Sequence, residues 1–192
     1  MSHFFAYLSR MKFIRRWGLM HNTHDENIQE HTLRVALIAH ALATIRNREF
    51  GGHLDAERVA SLALFHDASE VLTGDLPAPV KYFNPKIRDA YHSIELSAAE
   101  RLLGMLPESL QDAYRAYLIP DPADATLREL VKAADKLCAY LKCLEEGRAG
   151  NNEFIAAERA LKQSIDAIEF EEVRYFMQVF VPSFRLTLDE LG

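Results

Sequence analysis

The residues best able to do chemistry stand together in Leu64-Phe65-His66-Asp67-Ala68-Ser69-Glu70, where an imidazole adjoins a carboxylate at the end of an apolar run. Histidine nitrogen and aspartate oxygen are donors that a divalent transition ion accepts together. Two donors do not hold a catalytic ion, and the chain offers two more, His31 upstream and Asp135 downstream. Each has an ordinary alternative. A histidine on an apolar face is commonly a hydrogen-bonded core residue, and Asp135 has Lys132 and Lys136 nearby as partners. Burying two imidazoles and two carboxylates separately would cost on the order of several kcal/mol at each site. One shared cation removes most of that cost, which favours a metal held by His31, His66, Asp67 and Asp135. Such donors suit manganese, cobalt, iron, nickel, copper or zinc better than magnesium or calcium, without choosing among them.

Other residues gain meaning beside an ion. Glu70 follows His66 by four and Asp67 by three, so it shares their face if one helix runs through all three. There it could orient or deprotonate an attacking water; otherwise it is an exposed helical glutamate. Asp75 follows Gly74 and reads by itself as a turn-former. Arg16 suits a dianionic phosphate, because guanidinium forks match phosphate oxygens, although Arg15-Arg16 alone reads as solvated surface. Trp17, the sole tryptophan, would ordinarily be a core aromatic.

Helices must position these groups. Phe4 to Trp17 mixes apolar and basic residues as one or two short helices would, and Gly18 to Asn27 reads as a loop. Asn27 then caps a strong helix, with Glu30 placed to complete a capping box. Ile28, His31, Val35, Ile38, Leu42 and Ile45 form its stripe, which ends before Gly51-Gly52. Asp55 caps the next helix, with Val59, Leu62 and His66 in line, and Gly74 breaks it. Asp75-Leu76-Pro77-Ala78-Pro79 predicts an extended loop, since each proline disfavours helix in its predecessor. Asn84-Pro85 starts a helix running toward Gly104, and Pro107 starts a shorter one ending near Pro120. A long helix from Asp124 or Thr126 carries Leu127, Leu130, Val131, Ala134, Leu137, Cys138 and Leu141. Two more are expected over Asn152 to Ile168 and Glu169 to Val181, stopped by Pro182, before a partial turn in the tail. No period-two strand pattern competes. The expectation is one all-α domain over residues 1–192.

Composition narrows the function. At 49% apolar and 26% charged residues the chain is ordinary globular material, and a net charge of −6 gives no general attraction to nucleic acid polymers or anionic membranes. Met1 to Lys12 lacks the long apolar core of a signal peptide, and no apolar run approaches spanning length. The two cysteines, Cys138 and Cys143, fit neither a zinc knuckle nor a disulfide framework. Small core residues in a reducing compartment are expected, hence a cytoplasmic protein.

His31, His66-Asp67 and Asp135 reproduce the H…HD…D pattern of the HD-domain superfamily of metal-dependent phosphohydrolases. Phe-Ile-Arg-Arg-Trp, Asn-Ile-Gln-Glu-His, His-Asp-Ala-Ser-Glu-Val-Leu-Thr-Gly-Asp-Leu-Pro, Ala-Asp-Lys-Leu-Cys-Ala-Tyr-Leu-Lys-Cys-Leu-Glu and Val-Pro-Ser-Phe extend it across the chain. With them the sequence resembles the bacterial 5′-deoxynucleotidases. The resemblance implies a helical HD-domain fold, a homodimer, and hydrolysis of deoxyribonucleoside 5′-monophosphates but not ribonucleotides. It implies one divalent ion, such as cobalt, manganese or copper, on His31, His66, Asp67 and Asp135. Arg16, Glu70 and Asp75 would be catalytic, with Asp75 able to protonate the leaving 5′ oxygen. Substrate would touch Arg16, Trp17, His66, Asp75, Leu76, Pro77, Ala78 and Asp135, with Trp17 filling the space of a 2′-hydroxyl. Ala78 stands where some relatives have threonine. Two alternatives remain: another HD phosphohydrolase, acting on a nucleoside triphosphate, cyclic nucleotide or guanosine tetraphosphate, or a non-catalytic metal-stabilised nucleotide-binding module. The first would need more basic residues than Arg15, Arg16 and Lys81 provide; the second would have no use for Glu70 and Asp75.

Overall fold

The three- and four-residue steps from Ile28 to Ile45 close into the buried face of a long helix in the computed structural model, which describes residues 1–192. Ten α-helices follow one another: α1 (Phe4–Leu8), α2 (Ile28–Glu49), α3 (Ala56–Leu64), α4 (Glu70–Thr73), α5 (Ala78–Lys81), α6 (Pro85–Leu103), α7 (Glu108–Leu118), α8 (Ala125–Arg148), α9 (Ile155–Asp166) and α10 (Glu171–Val179). Single 3-10 turns fill several joints, and the fold is all-α. Its only extended pairing is one antiparallel bridge between Arg15 and Asn27. No helix is long and apolar enough to cross a membrane.

Capping residues act largely where their types place them. Asn27, Asp55 and Asn84 each accept a hydrogen bond from the backbone N–H three residues on. The capping box at Asn27 is one-sided, because Glu30 returns no bond to the Asn27 backbone. Helices α2, α3 and α8 pack through Leu42, Val59, Leu62, Leu130, Leu137 and Leu141, all fully buried. Burial of each such side chain is worth about 1.5–3 kcal/mol. Helix α9 lies against α8 and α10 against α2, completing this larger core. A smaller one gathers Phe4, Ala68, Ala99, Leu102, Leu103, Leu106 and Leu118 from α1, α6, α7 and the segment after α3.

Two local expectations are corrected. The helix from Asp55 does not run on to Gly74: α3 ends at Leu64, Phe65–Ser69 is a series of turns, and Glu70–Thr73 is a separate short helix. Three-residue bonds replace helical ones, Phe65 N–H to Leu62, His66 N–H to Ala63 and Ala68 N–H to Phe65. The cause is the double core, since Leu62 and Ala63 belong to the larger cluster and Ala68 to the smaller. Second, the proline segment is shorter than expected, because Ala78–Lys81 makes a helical turn with Pro79 in its first turn, where a missing N–H costs nothing. Helix α10 ends at Val179, before Pro182 as expected, and Pro182 enters a 3-10 turn over Val181–Arg185. The tail forms the expected partial turn at Leu188–Glu190.

The loop before α2 is held from the far end of α8. Glu146, buried, accepts from the backbone N–H groups of Thr23 and His24 and from Asn151, while Lys142 donates to it and to the His24 carbonyl. These bonds drive the Glu146 carboxyl well below the usual range although burial acts against them.

Candidate active site

His31 sits in the first two turns of α2 with no exposed surface, and the turns after α3 bring His66 and Asp67 against it. His66 and Asp67 stand in the turns at Phe65–Ser69, and ligand atoms of His31, His66 and Asp67 all lie within 4.8 Å of one another. Asp135, from the middle of α8, places Oδ1 3.0 Å from His31 Nε2. Asp67 Oδ2 lies 3.1 Å from His66 Nε2 and 3.7 Å from His31 Nε2. Four residues separated by up to 104 positions thus meet at one point.

The buried His31 Nδ1 has no partner, and Nε2 of His31 and of His66 approach the Asp135 and Asp67 carboxylates without full hydrogen-bond geometry. His66 Nδ1 lies 2.7 Å from the Ala63 carbonyl, which fixes its orientation and turns Nε2 toward the cluster. Unpartnered nitrogens beside two carboxylates fit a divalent cation, and the donor set suits one. The charges agree. Burial disfavours the charged His66, but Asp67 and Asp135 overcome it and raise the imidazole to about 9. Burial works against the Asp67 and Asp135 carboxylates too, yet the imidazoles hold both low.

Arg16 is nearly buried beside this cluster. Its Nε donates to Glu26 at 3.1 Å, while Nη1 and Nη2 lie 3.6 Å from Asp67 and 3.9 Å from Asp135. Burial would lower its pKa, but Asp135, Asp67 and Glu26 raise it. Trp17, next in the chain, has φ of +59°, uncommon for a residue with a side chain. Its indole packs edge-on to Phe154 at 5.3 Å and donates to the same Glu26 oxygen at 3.2 Å.

Glu70 is buried, and one carboxyl oxygen has no partner. Burial first, then the charges of Asp67 and Asp75, push it up to about 10. Burial also raises Asp75, although Arg16 pulls it down. Gly74, at φ of +74°, turns the chain so that Asp75 follows, and its carbonyl is held by Tyr91 Oη at 3.1 Å. A cavity of about 580 Å³ is bordered by Arg16, Trp17, Asp67, Glu70 and Asp135 on one part of its wall. Asp75, Leu76, Pro77 and Ala78 form another part. His66 instead lines an adjoining cavity of about 370 Å³, and the two share Asp67, Glu70, Lys81 and Asp135.

Several residues were not anticipated. Glu26 joins Arg16 to Trp17; a glutamate beside the N-cap of α2 was its only sequence signal. Lys136, and Ala157, Ala160, Leu161 and Ser164 of α9, complete the larger cavity. Nothing in the local pattern ties α9 to a site so far away in sequence. Arg15, weighed above with Arg16, is exposed and paired with Asp25.

The family description 5′-deoxynucleotidase YfbR-like matches residues 3–184. The chain belongs to the YfbR-like 5′-deoxynucleotidase family. A 5′-deoxynucleotidase of Enterobacter sp. (strain 638) is 57% identical over 191 residues, covering 100% of this chain and 96% of that protein. One from Shewanella oneidensis is 56% identical over 192 residues, covering 100% and 98%. The YfbR 5′-deoxynucleotidase of Escherichia coli O1:K1 is 56% identical over 191 residues, covering 100% and 96%.

Solved structures place the family member's fold among HD-domain phosphohydrolases. One from Listeria innocua matches with a TM-score of 0.83 at 24% identity, covering 95% of this chain and 88% of that one. The cyanophage S-2L HD phosphohydrolase DatZ, bound to dA and one catalytic Zn2+ ion, matches with a TM-score of 0.61 at 22% identity, covering 93% and 96%. At such identities the likeness establishes the fold.

Proposed function

We propose that residues 1–192 act as one domain that hydrolyses deoxyribonucleoside 5′-monophosphates to deoxyribonucleoside and phosphate, discriminating against ribonucleotides. The observation that carries it is the adjacency of Arg16 and Trp17, which line one cavity beside the His31–His66–Asp67 cluster. The relatives named 5′-deoxynucleotidase, similar over the full chain, support the same reaction.

His31, His66, Asp67 and Asp135 would hold one divalent transition ion. Bound there, it would withdraw charge from the phosphoryl group and lower the pKa of the attacking water. Arg16, held at Nε, offers Nη1 and Nη2 to the phosphate oxygens. Burial, Asp67 and Asp75 hold Glu70 protonated without an ion; a bound cation would favour its carboxylate, which would orient the attacking water and take its proton. As the bond from phosphorus to the water oxygen forms, the bond to the 5′ oxygen breaks. Asp75, which burial keeps toward the protonated form, delivers the proton that oxygen needs. Trp17 stands against the sugar, and Leu76, Pro77 and Ala78 shape the wall beyond it. His66 and Asp135, as candidate ligands of the ion, would also touch the substrate.

A monophosphate suits the charges. Lys81 is tied to Glu95 at 2.7 Å, which leaves Lys136 and the terminal nitrogens of Arg16, whose Nε is bonded to Glu26, as the larger cavity's remaining cationic groups. The unpaired, buried Cys138 and Cys143 accord with a cytoplasmic enzyme. The resemblance adds a homodimer, supported by Leu33 and Leu37, exposed one turn apart on α2. Phosphate release from paired ribo- and deoxyribonucleoside monophosphates, across a panel of divalent metals, tests the reading. Release from the deoxy member of each pair is expected, with one or more transition ions required. Equal release from both sugars would remove the selectivity, and none from either would remove the function.

A further inference from the structure

Glu26 is a buried carboxylate that none of the proposed chemical steps uses, and its surroundings show what it does. It is 6% exposed and stands one residue before the cap of α2. One oxygen, Oε2, accepts from both Arg16 Nε at 3.1 Å and Trp17 Nε1 at 3.2 Å. The backbone fixes the same register, because Arg16 N–H donates to the Glu26 carbonyl at 2.9 Å and Ile28 N–H to the Ile14 carbonyl at 3.0 Å. The Arg16 and Trp17 side chains are thus clamped to the strand-like entry of the helix that carries His31.

From these contacts we propose that Glu26 is a positioning residue that sets the phosphate-binding guanidinium and the sugar-sensing indole as one unit. The inference rests on the assignment of Arg16 to the phosphate and Trp17 to the sugar made above.

Two physical facts carry it. An arginine among Glu26, Asp67 and Asp135 could direct its planar fork at any of them. Only Glu26 takes a hydrogen bond, and it takes Nε. With that edge committed, Nη1 and Nη2 stand 3.6 and 3.9 Å from Asp67 and Asp135, beyond hydrogen-bond reach and free for phosphate oxygens. The second fact is the backbone of Trp17. A positive φ costs an L-residue about 1–2 kcal/mol, so the indole holds its place only if other contacts offset the strain. Its bond to Glu26, the Phe154 edge and the Asn22 side chain on the Trp17 carbonyl supply those contacts. Of these, only the Glu26 bond also restrains the arginine. A shift of the carboxylate must therefore move both recognition groups, whereas changes at either group alone move one.

Trp17 is the only tryptophan, so its emission reports its own environment without substrate or metal. The test compares wild type, Glu26→Ala and Glu26→Gln in tryptophan emission, quencher accessibility and steady-state kinetics on a deoxy- and ribonucleoside monophosphate pair. Glu26→Ala should shift the emission, raise KM for the deoxynucleotide about tenfold and reduce the deoxy-over-ribo preference by a similar factor. Glu26→Gln keeps an acceptor oxygen but no charge. It should preserve the emission and the preference while KM still rises, a split that a general loss of folding would not produce. Should Glu26→Ala fail to fold, Glu26→Gln decides, and an unchanged KM there overturns the proposal. An unchanged preference in folded Glu26→Ala, with or without an emission shift, overturns the role of Glu26 alone. Absence of wild-type activity on both sugars overturns the functional reading of the site and, with it, this role.

Discussion

Trp17 is held in a strained backbone conformation beside the guanidinium that would bind phosphate, an arrangement with a direct consequence for selectivity. Leaving an added 2′-hydroxyl buried without a partner costs about 1–3 kcal/mol, one to two powers of ten in rate. Trp17→Ala should therefore admit ribonucleotides, while Arg16→Ala weakens binding of both sugars alike. The ratio of kcat/KM for the two sugars, measured in each variant, decides; a constant ratio in Trp17→Ala would make the indole a packing residue. Glu70 and Asp75 invite a different comparison. Glu70→Ala should leave KM nearly unchanged and lower kcat by about 10²-fold or more, since a group that handles the attacking water matters mainly in the transition state. Asp75→Ala should lose most on nucleotides and recover on a phosphate ester whose leaving group needs no proton. Equal losses on both esters would move the acid elsewhere.

Among the elements, the interrupted segment from α3 to α4 matters most. The turns at Phe65–Ser69 carry both His66 and Asp67, whose ligand atoms lie close to those of His31. The loop that carries Arg16 and Trp17 depends on α8 at a second place, through Lys142 and Glu146. Removing one member of a buried ion pair strands the other's charge, so Lys142→Met should cost about 3 kcal/mol of stability. The Lys142→Met/Glu146→Met double variant should cost less than the two single changes added together. Urea unfolding of the set measures the coupling, and strict additivity would show that the two charges act independently.

For the whole molecule, the cluster of His31, His66, Asp67 and Asp135 should make stability depend on metal and pH together. In the metal-free protein His66 keeps its proton up to about 9 and Glu70 up to about 10. Their ordinary values are 6.5 and 4.5, so the unfolded chain releases both protons earlier. The folded state then binds more protons, and stability falls as pH rises. The contribution is complete below pH 4.5 for Glu70 and 6.5 for His66, and it is lost on passing through 9 to 10. A bound cation replaces the His66 proton and should flatten the decline. Urea midpoints between pH 5 and 9, with chelator and with a saturating transition ion, test this. Parallel slopes in the two conditions would assign the decline to groups outside the cluster.

Much of this was legible in the sequence because it depends on short spacings. Helical stripes, caps at Asn27, Asp55 and Asn84, and the breaks at Gly51 and Gly74 follow from side-chain periodicity and backbone preference, which act over a few residues. The donor types of His31, His66, Asp67 and Asp135 were equally plain, since their chemistry is carried by the residues themselves. The tertiary structure alone decided how they meet. The helix at His66 breaks because Ala63 and Ala68 are drawn into different cores, a competition between distant surfaces that no local pattern records. For the same reason the α9 wall of the cavity and the bridge from Glu26 to Arg16 and Trp17 were hidden. A buried carboxylate shows its role only through the donors that folding brings to it.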